Sequence, residues 1–127
     1  MENTQKLKNA RNTVLKLHKA LIDNERATYE SIHGSQTAGQ FLNVLLEDQD
    51  FNWLRKFSML IVEIDEMFDL KDGITGDMVD ACLAKVVELV EMKEADEYFK
   101  AKYELALQRD VDIAGLHSET KKILAAE

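Results

Sequence analysis

Apolar residues recur along most of this chain every three or four positions, the spacing of one face of an α-helix. The densest stretch is Phe51 to Phe68, FNWLRKFSMLIVEIDEMF. On a helical wheel Trp53, Leu54, Phe57, Leu60, Ile61, Ile64, Met67 and Phe68 fill one arc of roughly 140°. A second, narrower stripe runs through Met59 and Val62. A helix apolar on two sides belongs at the centre of a bundle or in an oligomer interface.

The same periodicity predicts a long first helix from Thr4 to His33, stopped by Gly34. Its stripe is Leu7, Ala10, Val14, Leu17, Leu21, Thr28 and Ile32. After a small polar link, Thr37 or Ser35 can cap a short helix, 38–46, with Phe41, Leu42, Leu45 and Leu46 inward. The acidic break Glu47–Asp50 offers Asp48 or Asp50 as the cap of the next helix, which ends near Leu70. Thr75 can cap a helix running to about Met92, with Met78, Val79, Cys82, Leu83, Val86, Val87, Leu89 and Val90 on a broad face. Beyond Glu94 the pattern weakens. Ala95, Phe99, Tyr103, Ala106 and Leu107 share a face, but Asp96 and Asp110 fall inside it. The segment either continues through Gly115 to Leu124 or breaks near Asp110. The charged end, residues 119–127, is expected to fray.

These elements predict an all-α, up-and-down helical bundle in one domain, 1–127. It has four principal helices (4–33, 50–70, 76–92 and 94–108 or beyond) plus a short connecting helix. Composition agrees. The chain has no proline and only five glycines, and helix formers dominate. No segment alternates as a strand does.

The net charge is −8, which excludes a general basic footprint for nucleic acid. The charge is uneven: residues 1–33 carry +2 and the remainder −10. The basic side of helix one (Lys6, Lys8, Arg11, Lys16, Lys19) is read as a solvated face beside acidic neighbours. A single cysteine excludes a disulfide framework, and Cys82 reads as a small buried hydrophobe. The longest apolar run, Met59 to Val62, is far short of a membrane span. With no secretory pattern at Met1, the expectation is a soluble, cytoplasmic protein with no membrane or nucleic-acid partner.

Polar residues on apolar faces are the candidates for chemistry. His18 and Glu25 border the stripe of helix one, Tyr29 lies one turn further, and Asp65 borders the stripe of Phe51–Phe68. A carboxylate and an imidazole near a core require partners. Arg26 and Arg55 are available counter-charges. The group is read either as a structural network that sets helix register or as a ligand pocket of His18, Glu25, Tyr29 and Asp65. A di-metal centre in a bundle needs two Glu-x-x-His pairs. Glu30–His33 is the single match, so no metal site and no cofactor are expected. Phosphate loops, Cys-x-x-Cys and Gly-x-Ser-x-Gly are absent.

The run His18-Lys-Ala-Leu-Ile-Asp-x-Glu-Arg-x-x-Tyr-Glu-x-x-His-Gly34, followed by Phe51-x-Trp-Leu-Arg-x-Phe-Ser-x-Leu-Ile-Val-x-Ile-Asp-Glu66, resembles a set of short, uncharacterised bacterial helical proteins. The likeness covers residues 14 to 70 and fades beyond Thr75. It implies a bacterial soluble helical protein and carries no activity. It singles out His18, Glu25, Tyr29, Trp53, Arg55 and Asp65.

Two functional readings follow. The first is a non-enzymatic protein that acts by self-association or partner binding. In it the stripe Arg55, Met59, Val62 and Glu66 forms a homodimer interface and sets Arg55 near Glu66 of the other copy. The second is a small-ligand sensor or enzyme that uses His18, Glu25 and Asp65.

Overall fold

Five of the helical segments begin where a side chain satisfies free amides. Thr37 and Gln40 form a reciprocal capping box, Gln40 N donating to Thr37 Oγ1 at 3.1 Å and Thr37 N to Gln40 Oε1 at 2.9 Å. Asp48 accepts from Asp50 N, and Thr75 from Met78 N. Asp96 caps through Tyr98 N and Phe99 N, and Asp110 through Asp112 N and Ile113 N.

The computed structural model describes residues 2–93 and 96–126. Its elements are α1 (Glu2–His33), α2 (Ala38–Glu47), a 3-10 helix (Gln49–Leu54), α3 (Arg55–Phe68), α4 (Gly76–Val90), α5 (Glu97–Arg109) and α6 (Val111–Ala125). No strand occurs among the described residues. The protein is an all-α helical bundle.

One expectation about the elements is corrected. The Phe51–Phe68 segment enters as a 3-10 helix and becomes α-helical only at Arg55. Of the two alternatives for the last segment, the break near Asp110 is the one found: Asp110 N donates to Ala106 O at 3.0 Å while its carboxylate starts α6. Helix α6 runs to Ala125, and Thr120 is fully buried, donating to Leu116 O. Ala95 and Glu127 lie outside the described residues.

Helix α1 is the spine. Leu7, Ala10, Val14, Leu17 and Leu21 are completely buried, and α3, α4, α6 and the 3-10 helix all pack on this helix. Gly34 ends it with φ +86°, a left-handed conformation that glycine adopts without a Cβ penalty. Helix α5 completes the core from the far side. Its Phe99 stacks on Phe57 and its Tyr103 meets Phe57 edge-on, with ring centroids 5.8 and 5.5 Å apart. First and last helices are joined by a buried hydroxyl pair, Thr120 Oγ1 to Thr13 Oγ1 at 2.9 Å.

The wide arc of Phe51–Phe68 is the core face: Trp53, Leu54, Phe57, Leu60, Ile61, Ile64 and Met67 are all buried. Some stripe residues are not. Ile32, Leu42 and Leu46 face solvent at 72%, 54% and 57% exposure, contrary to their predicted inward placement. Helix α2 packs chiefly on the 3-10 helix, so only its Phe41 edge reaches the interior.

Two substitutions check this packing by chemical denaturation. Leu17→Ala in the fully buried stripe is expected to lower the unfolding free energy by about 2–5 kcal/mol. Gly115→Ala should raise it by about 1 kcal/mol, because the residue is helical and an added Cβ meets nothing within 4 Å.

Candidate functional site

The polar residues singled out by position each have a partner, but not one another. His18 is half-buried on α1 and stacks on Phe57, with centroids 6.2 Å apart and an 18° interplanar angle. Glu25 pairs with Lys102 of α5, Nζ to Oε2 3.3 Å. Asp65 accepts both arms of Arg11, Nε at 2.9 Å and Nη2 at 2.8 Å. That bidentate geometry is the strongest form of a carboxylate–guanidinium contact. Tyr29 lies among aromatic rings, 4.3 Å from His33, 5.9 Å from Phe41 and 6.1 Å from Phe51.

The suggested meeting of Asp65 with His18 and Glu25 is therefore corrected. Arg11 and Glu25 are fourteen residues apart on one helix, about 21 Å at ~1.5 Å per residue. Asp65 sits at the Arg11 level, and the three groups do not converge on one pocket. The suggested counter-charges are also engaged elsewhere. Arg26 donates to Gln36 O at 2.6 Å and lies 3.6 Å from Glu30. Arg55 donates to Leu46 O at 2.7 Å. Glu30 of the Glu-x-x-His match accepts from Gln36 N, and His33 stacks on Tyr29. Among the described residues no group of three His, Cys, Asp or Glu side chains is placed to hold a metal ion.

A buried pair that the sequence did not reveal joins α5 to α6. Tyr103 is fully buried, and burial pushes its hydroxyl well above the usual phenol range. The hydroxyl and His117 Nδ1 share a hydrogen bond of 2.7 Å. Burial, then the nearby Lys121 charge, lowers the pKa of His117. Cys82 is buried too, its Sγ 3.8 Å from Met67 Sδ, and burial raises its thiol. It is a packing residue.

The outer face of α3 is different. Met59 and Val62 are 69% and 53% exposed. They stand beside an open cleft of about 720 Å³ between α3 and α4. The buried Leu60 and Leu89 underlie the cleft, and its rim is charged. Lys85 of α4 reaches across it to hydrogen-bond Glu63. Glu66 is also on the rim, and among the described residues its carboxylate has no ion pair or hydrogen bond. Arg55 has its bond to the Leu46 carbonyl but no carboxylate partner among the described residues. Leu46 of α2 is itself exposed.

Sequence reasoning marked the α3 stripe but missed the α4 wall of the cleft. It also missed Arg11 and Lys102 as partners. The signal for Arg11 was its place beside Ala10 and three residues before Val14, on the rim of the buried stripe.

Comparison with known proteins finds no matching family model, no matching curated protein and no matching solved structure.

The histidines predict a pH dependence. Burial lowers His18 and His117 below their ordinary value of 6.5, so near that pH the unfolded chain binds more protons than the folded one. Their contribution to stability is complete above pH 6.5 and is lost as pH falls through the folded-state values. Denaturation midpoints measured from pH 7.5 down to 5 (the range around that ordinary value) should fall. In His18→Phe, which keeps a ring on Phe57, the fall should be smaller. An equal fall would show that His18 does not contribute.

Proposed function

We propose that this chain is a non-enzymatic helical-bundle protein that works by binding, through the outer face of α3 and the cleft beside it. The observation that carries this reading is the exposure of Met59 and Val62, 69% and 53%, over an open cleft. Apolar surface grouped beside a cleft and rimmed by charge is the chemistry of a contact site. The competing ligand pocket loses its support because His18, Glu25 and Asp65 are occupied by separate partners. Those pairings are of the kind that sets helix register.

The setting that fits is the cytoplasm. Cys82 is a free, buried thiol, and no helix among the described residues is long and apolar enough to cross a membrane.

The double variant Met59→Glu/Val62→Glu separates a contact face from a structural one. Both side chains are exposed, so the unfolding free energy should change by no more than about 0.5 kcal/mol. Chemical crosslinking of the purified protein, and capture from an extract of its own cell, should both lose the products that wild type yields. A loss of about 2 kcal/mol or more in stability would mean that the stripe serves the fold instead.

A further inference from the structure

We infer that the occupant of this face is a second copy of the same chain, with the two α3 helices packed antiparallel about a two-fold axis between Leu60 and Ile61. The inference rests on the reading of α3 as a contact face and goes further by choosing the partner. The outer stripe of α3 is Arg55, Met59, Val62 and Glu66, and it is symmetric about its own midpoint. Turned end for end, it sets Arg55 opposite Glu66 at each end and Met59 opposite Val62 in the middle. Ser58 then meets Glu63, whose charge is already offset by Lys85. A parallel pairing of the same stripe puts Arg55 on Arg55 and Glu66 on Glu66, so like charges oppose. Charge complementarity therefore selects the antiparallel two-fold.

The groups at the ends suit this role. The Glu66 carboxylate has no partner among the described residues. Arg55 is held at 2.7 Å by the Leu46 carbonyl through one nitrogen, which leaves its other donors for a carboxylate. The stripe spans twelve residues, about 16 Å from first to last at ~1.5 Å per step. A helix pair of that length buries less than the ~800 Å² per partner of a standard stable interface. The dimer is thus concentration-dependent.

The test is molar mass by sedimentation equilibrium, with protein raised to about 1 mM, on wild type, Glu66→Arg and Arg55→Glu/Glu66→Arg. Circular dichroism verifies that each variant keeps its helices. Wild type should dimerise. Glu66→Arg should dissociate at least about tenfold more readily, since it puts two cations opposite each other. The doubly reversed variant should return to within about threefold of wild type. A dimer that the double reversal fails to restore overturns the antiparallel register. A monomer at every concentration overturns the second-copy proposal. If extract capture is then still abolished by Met59→Glu/Val62→Glu, the contact-face reading survives that failure. If no capture occurs at all, both fall.

Discussion

Burial of one stripe on α1 is the constraint from which the rest of the structure follows. Leu7, Ala10, Val14, Leu17 and Leu21 lose all contact with water, and they need neighbours along some four turns of helix. Helices α3, α4 and α6 and the 3-10 helix provide them. Because α3 must turn its wide arc toward this spine, its opposite side faces outward. Met59 and Val62 are exposed for that reason, and the fold gives them no structural duty.

The polar residues at the rim of the core follow from the same constraint. A charge beside an apolar face must be paired or stay in water. Arg11–Asp65 ties α1 to α3, Glu25–Lys102 ties α1 to α5, and Tyr103–His117 ties α5 to α6. Each pair joins a different helix couple. Distributed in this way, they specify which helix meets which and in what register. They do not gather the convergent groups that proton transfer or ligand capture needs.

The fold was largely legible because its signals are local. Thr37, Asp48 and Thr75 cap the helices they were expected to cap, and Gly34 ends the first one. Asp96 and Asp110 looked like faults in an apolar face when they are the caps of two separate helices, so the break at Asp110 stayed undecided. The 3-10 start of Gln49–Leu54 gave no separate signal, since its apolar spacing merges with that of α3. The polar partners were less legible for a geometric reason. A helical wheel reports the angle of a residue but not its height along the axis. Asp65 and Glu25 both border an apolar face, yet they sit about 21 Å apart in level. Arg11–Asp65 and Glu25–Lys102 join residues 54 and 77 positions apart, beyond the reach of any local pattern.

The outer face of α3 is where sequence pattern and structure agree on a surface without an internal partner. A concentration series of amide NMR spectra tests the central claim most directly, because it locates contact residue by residue. The account predicts shifts confined to the outer side of α3 and the facing edge of α4, around Met59, Val62, Glu66 and Lys85, with His18 and Glu25 unchanged. Spectra that do not vary with concentration, or that move chiefly around His18 and Glu25, would contradict it.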